Sequence, residues 1–422
     1  MMELDNVLDK VISCSKCGFC QPTCPTYLVS GLEHEVARGR HQLIRSVIED
    51  KLPITKDIKD TIFQCLMCNA CYTNCFPGIK TDEVIARARY EYINRFGQPQ
   101  LQRYIFKYLL RHPDTLGRLL KMASVGKRSG ISGLAQVLRI LGWFGKNIAH
   151  AEQLLEKIPF KSLRERAGEF SPEPEIKRGK VAYFAGCGIN FANPEIGLAT
   201  LQILKQRGFQ VEILPNYCCG LPAYAYGDLD SVKWFVEQNF AILEQTDADF
   251  IVTDCGSCTS FLKEYHRFID DPENSGRVNR VLNKIIDFTK WLAETEEFAE
   301  YNTDGSNEKI TYHDPCHLAH YLNEKQSSRA VLRNMPGLDF VELNESDMCC
   351  GGAGSYNIAH SEISRKILDR KLNNVEAAGA DILATACPAC IIQLAWGVRN
   401  TKLPVNVKHI SQVVLQKSIS DK

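Results

Sequence analysis

Five cysteines recur twice in the same order: Cys187, Cys218-Cys219 and Cys255-x-x-Cys258, then Cys316, Cys349-Cys350 and Cys387-x-x-Cys390. The gaps match. Cys187 and Cys218 are 31 positions apart, and Cys316 and Cys349 are 33 apart. From Cys219 to Cys255 is 36 positions, and from Cys350 to Cys387 is 37. A glycine follows each pair, at Gly220 and Gly351. A repeat of this length, with five cysteines in register, is an internal duplication.

The other eight cysteines form two runs. Cys14-x2-Cys17-x2-Cys20-x3-Cys24 is followed at once by Pro25, and Cys65-x2-Cys68-x2-Cys71-x3-Cys75 by Phe76-Pro77. This is ferredoxin spacing: three thiolates of one run hold three corners of a [4Fe–4S] cube, and the fourth crosses to the other cluster. A tetrahedral zinc ion uses two Cys-x-x-Cys pairs and leaves this pattern unexplained. The runs therefore predict two cubane 4Fe–4S clusters, with a proline after the fourth cysteine starting a helix. Phe76 interrupts that order in the second run without moving a cysteine. Val36, Leu43, Ile44, Val47 and Ile48 keep helical spacing between the runs, so an all-α ferredoxin-like domain is expected, with two helices joining them. A further short amphipathic helix is predicted over residues 3–13.

All 18 cysteines belong to these groups. The first ten residues are mostly polar, unlike a signal peptide. No apolar run reaches the roughly 18 residues of a membrane span. The expected location is the cytoplasm, where thiols stay reduced and clustered thiolates read as ligands for soft metals. With 50 basic and 50 acidic residues, nothing global favours nucleic acid.

Residues 99–150 depart from that balance. Arg103, Lys107, Arg111, Arg118, Lys121, Lys127, Arg128, Arg139 and Lys146 stand against one acid, Asp114. Tyr104, Tyr108, Leu116, Leu119, Leu120, Leu134, Val137, Leu138 and Leu141 recur at helical spacing. Such a stretch suits peripheral contact with an anionic membrane surface. It equally suits a connecting helix pair whose apolar face packs on the ferredoxin domain. Residues 171–180 read as a linker.

Beyond the linker, strands and helices alternate. Strands are predicted at 181–185, 209–214, 249–253, 309–312, 339–343 and 381–385, and helices at 196–207 and 229–245. Each cysteine group follows the carboxyl end of a predicted strand, where open parallel sheets place their sites. The domains expected are 1–98 (ferredoxin), 99–178 (basic connector and linker), 179–305 and 306–422. The last two are pseudo-symmetric α/β lobes with short parallel sheets.

Four thiolates would satisfy zinc in either copy, but the fifth cysteine would then be idle. The pattern resembles the cysteine-rich CCG domain, found twice in catalytic subunits of heterodisulfide reductases. The same domain occurs in iron–sulfur subunits of glycolate oxidase and of anaerobic glycerol-3-phosphate dehydrogenase, and in lactate-utilisation proteins. Ferredoxin runs followed by two CCG domains look most like the glycolate oxidase iron–sulfur subunit and the D-type heterodisulfide reductase subunit. The resemblance covers residues 10–95 and 180–415, including His313-Asp314-Pro315-Cys316-His317 and Cys349-Cys350-Gly351-Gly352-Ala353-Gly354-Ser355-Tyr356. It implies that each complete five-cysteine set holds a non-cubane 4Fe–4S cluster, giving one or two such clusters. Cys387 and Cys390 complete the second set, which draws the reading toward the heterodisulfide type.

The functional expectation is an electron-transfer iron–sulfur subunit of a multi-subunit oxidoreductase. A partner FAD-containing dehydrogenase would oxidise a 2-hydroxy acid of the glycolate or lactate type. Electrons would pass to a quinone, an electron-transfer flavoprotein or another acceptor. The alternative is a catalytic disulfide reductase. His313 and His317 flank Cys316 as candidate proton donors or hydrogen-bond donors to the cluster. The second lobe is expected to be the more reactive, because Gly351-Gly352-Ala353-Gly354 leaves little bulk beside its thiols.

Overall fold

Short apolar runs ending in Cys-bearing loops become the strands of two parallel sheets. The fold is described from a computed structural model for residues 5–129, 153–154, 156–169, 178–269, 275–295 and 307–418. The first sheet contains β1 (Gly179–Tyr183), β2 (Phe209–Ile213), β3 (Phe250–Thr253) and β4 (Ile285–Asp287), in the order β2-β1-β3-β4. The second contains β5 (Glu308–Tyr312), β6 (Leu338–Phe340), β7 (Ile382–Thr385) and β8 (Asn406–His409), in the order β6-β5-β7-β8. Every pairing is parallel, with Tyr183 beside Val252 and Tyr312 beside Ala384. Val181, Ala182, Tyr183, Ile251 and Val252 are fully buried, as in strands covered by helices on both faces.

In each sheet the chain reverses its direction of travel between the first and third strands. The crevice at that switch point, beyond the strands' carboxyl ends, is where such sheets bind their ligands. Cys187 and Cys255 lie there in one lobe, and Cys316 and Cys387 in the other. A five-residue π-helical turn follows the first cysteine of each set, at Gly188–Ala192 and His317–Tyr321. Neither turn was predicted from the sequence.

The two lobes share a core. Val181, Phe209, Val252, Phe288 and Trp291 pack in one apolar cluster with Ile310, Tyr312, Leu318, Ile382 and Ile410. The cysteine loops themselves touch, because Gly256 N–H donates to Ala386 O at 2.9 Å. A side chain at Gly256 would drive its Cβ to 2.6 Å from Leu318 Cγ, so glycine permits this approach.

The N-terminal region is all-helical, with Ala37–Ile48, Ile58–Phe63 and Thr81–Phe96 as main elements. Ile44, Val47, Ile62, Val84, Ile85 and Tyr92 form its interior. It docks on both lobes. Tyr356 Oη donates to Gln64 O (3.0 Å), Tyr321 Oη to Met67 O (2.7 Å) and Tyr224 Oη to Asp82 Oδ2 (3.1 Å). Fully buried Arg89 ties the second cysteine run to the first lobe. Its guanidinium donates to Ile62 O, Phe63 O, Cys65 O and Ala225 O.

The described part of the basic segment forms helices Gln100–Lys107 and Pro113–Arg128. It packs on the first lobe. Phe106 meets Tyr226, and Arg111 lies 4.6 Å over the Trp234 ring. The predicted positions Leu134, Val137, Leu138, Arg139, Leu141 and Lys146 and most of the 171–180 linker lie outside the described residues.

Candidate metal centres

Both ferredoxin runs make the same turn. Lys16 and Gly18 in one run, and Met67 and Asn69 in the other, adopt positive φ at matching offsets from Cys14 and Cys65. Left-handed residues alternating with ordinary ones make the backbone pattern of a nest, which suits a negatively charged cluster. Met67 N–H already points at Cys65 Sγ (3.4 Å), and Ile79 N–H at Cys75 Sγ (3.5 Å). One small cavity is lined by Cys14, Cys17, Cys20 and Cys75; a second is lined by Cys24, Cys65 and Cys68. Cys71 borders both. The fourth cysteine of each run thus faces the other run's cavity. Cys24 exits through Pro25 into helix Pro25–Ser30. Cys75 does not: Phe76-Pro77 form a turn closed by Gly78 N–H to Cys75 O (2.9 Å), leaving Phe76 91% exposed.

The ten remaining thiols form a single row. Cys187 Sγ is 3.7 Å from Cys218 Sγ. Cys219 lies against Cys218 and Cys258, and Cys258 against Cys255. Cys255 meets Cys387 across the lobe boundary. Cys387 continues to Cys390, then Cys350, Cys349 and Cys316. There the row reaches the ferredoxin region, because Cys68, Leu66, Cys316, Cys349 and Tyr356 share one buried cluster. Burial, with Cys349 and Cys316 close by, pushes the Cys68 thiol well above its usual pKa.

So many buried thiols cannot ionise together without cations among them. Soft iron supplies those cations and takes thiolate ligands, so the donor set fits iron–sulfur centres. Polar groups hold the ligand loops. Tyr265 Oη donates to Cys219 O (2.7 Å), and Asn239 Nδ2 donates to Cys218 O (2.9 Å).

His313 is fully buried, and neither ring nitrogen has a hydrogen-bond partner. One of its nitrogens lies within 4.8 Å of both Cys350 and Cys390 sulfurs. Burial lowers its pKa to about 3, so it stands as a neutral imidazole able to donate one hydrogen bond toward that set. His317 Nδ1 lies 3.6 Å from Cys316 Sγ, and its ring stacks on Tyr321.

The cysteine-rich (CCG) domain family matches residues 181–263 and again 310–395, and the 4Fe–4S dicluster domain family matches 10–79. A probable glycolate oxidase iron–sulfur subunit from Bacillus subtilis is 30% identical over 417 residues, covering 96% of this chain and 94% of that protein. The chain belongs to the glycolate oxidase iron–sulfur subunit family. Lactate utilization protein A of Geobacillus kaustophilus is 31% identical over 56% of this chain and 98% of its own length. A fumarate reductase (CoM/CoB) subunit from Methanothermobacter marburgensis is 26% identical over 80% of this chain and 69% of that protein. As a family member, the chain is an electron-transfer iron–sulfur subunit of a multi-subunit oxidoreductase. Among the described residues, no helix is long and apolar enough to cross a membrane.

The sequence alone did not show that the two five-cysteine sets abut through Cys255 and Cys387. Nor did it show that the second set, rather than the first, faces the ferredoxin runs.

Proposed function

We propose that the chain relays single electrons along one line of centres, from the exposed Cys14–Cys20 turn through the second lobe to the first. The unbroken succession of thiols from Cys68 to Cys187 carries this reading. Bound iron–sulfur clusters would supply one-electron chemistry. Cys14, Cys17, Cys20 and Cys75 suit one cubane 4Fe–4S cluster, and Cys24, Cys65, Cys68 and Cys71 a second. Each lobe's five thiols exceed a cube's four corners and suit a non-cubane 4Fe–4S cluster. The protein holds these ligands in place, and the second lobe's apolar surroundings keep water from its five thiols. The domain bounds 1–98, 99–178, 179–305 and 306–422 follow the same division.

The relatives' names, glycolate oxidase and lactate utilization, support oxidation of a 2-hydroxy acid upstream; the donor proposed is a flavin-containing dehydrogenase subunit, and the acceptor a quinone or an electron-transfer flavoprotein. The proposed exit is the first lobe. The second lobe's five thiols are all buried, whereas Cys187 is partly exposed. With Cys218 it borders a cavity also lined by Leu116, Arg164 and Tyr217. This departs from the expectation that the second lobe is the reactive one.

The test is anaerobic reconstitution with iron and sulfide analysis. Cys17→Ser and Cys68→Ser are each expected to remove one reduced-cluster signal in paramagnetic resonance. Stoichiometric zinc without acid-labile sulfide would sink the relay. The completeness of both five-cysteine sets keeps disulfide reduction as a second reading. It predicts reduction of a dithiol-forming substrate by the isolated chain, given only an artificial electron donor.

The basic helices also present an outer face. Leu119, Met122 and Val125 recur every third residue with Met122 71% exposed, and Leu101, Tyr104 and Tyr108 are exposed beside Arg103 and Lys107. We assign this face to peripheral contact with an anionic lipid surface. Sedimentation with phosphatidylglycerol vesicles is expected at low salt and is expected to fall several-fold by about 0.5 M salt, where the Debye length has shrunk to a few ångströms. Binding indifferent to salt, or none at low salt, counts against it.

A further inference from the structure

The two lobes place unlike side chains at matching points around their thiols. Helix Leu229–Gln245 of the first lobe carries Asn239, which donates to Cys218 O and accepts from Tyr217 N–H, both at 2.9 Å. The matching helix of the second lobe, Ser361–Ala378, carries Lys371. Its ammonium donates to Glu345 O and to Ser346 O (3.3 Å), in the loop leading to Cys349. Both side chains are completely buried.

Among the described residues no carboxylate forms an ion pair with Lys371. Burial lowers its pKa to about 8, while Cys350, Asp347, Cys349 and Glu345 favour its charged form; Asp347 and Glu345 are themselves paired, with Lys325 and Arg370. It is therefore a buried positive charge at neutral pH, held on the loop that leads to Cys349 and Cys350.

Other charges flank both sets, and the buried ones leave the first lobe the more negative. The second lobe's buried Asp314 is matched by Arg329, through bonds of 2.9 and 2.8 Å. At the strand ends, where the second lobe has Ala386 and His409, the first has Asp254 and Asp287, both buried. The first lobe's Arg164, at the rim of the Cys187–Cys218 cavity, has a buried Nε and donates to Leu214 O (2.9 Å) and Asn216 O (2.7 Å) ahead of Cys218, but its positive charge is opposed by the lobe's own buried carboxylates Asp254 and Asp287. Lys263 sits five residues beyond Cys258, at the far end of helix Gly256–Lys263.

Adding one electron makes a centre one unit more negative, with no bond made or broken. A buried positive charge nearby stabilises that reduced form, and the low dielectric magnifies the effect. Resting on the reading that both lobes hold clusters, we propose that Lys371 sets the second lobe's centre at the higher reduction potential of the two. The first electron then rests in the second lobe. The first lobe's centre fills only when another electron follows, so an acceptor there meets a protein already carrying two.

The experiment is a paramagnetic-resonance redox titration of the anaerobically reconstituted full chain. Cys316→Ser and Cys187→Ser assign the lobe signals by removing one each. In the unsubstituted protein, the signal lost in Cys316→Ser is expected to titrate at the higher potential. Lys371→Met is expected to lower its reduced-to-oxidised ratio about tenfold at fixed potential, which is about 59 mV for one electron. Lys371→Arg, which keeps the charge, is expected to leave it in place. The reverse order in the unsubstituted protein, or an unmoved midpoint in Lys371→Met, overturns the proposal. If Lys371→Met loses its iron, the order in the unsubstituted protein decides alone. Lobes devoid of iron and sulfide would instead defeat the relay reading on which this rests.

Discussion

Cys387→Ser is expected to cut steady-state transfer to the physiological acceptor by at least about 100-fold, while the ferredoxin centres still accept electrons from the donor. Cys387 is the second lobe's contact with Cys255, and its Sγ also lies 3.4 Å from Ser257 Oγ. Removing it takes a ligand from one set and opens the junction between the sets. Groups that merely orient metal ligands already cost about 10- to 100-fold when lost, so a ligand at the crossing should cost more. The paired measurement is single-turnover reduction of the ferredoxin centres beside acceptor reduction at steady state. Retained steady-state activity would show that electrons leave before reaching the first lobe. Loss of both would place the damage upstream, in the docking of the helical region.

Arg89→Met is the second substitution expected to have a large effect, and it acts on that docking. The guanidinium satisfies four backbone carbonyls, three beside the second cysteine run and Ala225 O in the first lobe. Burial lowers its pKa to about 10, which leaves it charged at neutral pH. Methionine fills similar space but donates nothing. Each stranded carbonyl costs about 1–3 kcal/mol, so the loss should exceed about 3 kcal/mol in total. Hydrogen exchange should quicken at residues 62–68 and 225–227 together, with a lower melting temperature. An unchanged melting temperature, or faster exchange on one side only, would show that Arg89 does not join the two.

Much of this was legible in the sequence because the ligands sit at the ends of regular elements. Helix Leu229–Gln245 occupies the stretch predicted as 229–245, and six of the eight strands lie where apolar runs precede cysteines. The two missed strands, Ile285–Asp287 and Asn406–His409, are as short as some of the predicted ones but lead to no cysteine, the feature that marked the others. The π-helical turns leave no pattern of their own. The meeting of Cys255 and Cys387 depends on Gly256 lying against Leu318, a contact between residues 62 positions apart that no local signal encodes. Lys371 was invisible for a different reason. Among Arg365, Lys366, Asp369 and Arg370 it reads as one more solvated charge, and only the packing of its helix turns it inward.

The clasp between Gly256 and Ala386 also bears on how such a protein is made. With the halves latched at that point, Cys255, Cys258, Cys387 and Cys390 lie inside a shared core. Iron and sulfide delivered after folding would have to prise the halves apart, at the expense of the apolar contacts from Phe288 and Trp291 to Ile310 and Ile410. Biogenesis is simplest if the halves close around cofactors already in place, so that loading is a step of folding and not its sequel. The outer Cys14–Cys20 turn is open to solvent at Cys17 and escapes that requirement. Damage and repair should therefore divide the molecule unevenly, with the outermost centre exchanged in the finished protein and the innermost ones renewed only with the chain itself.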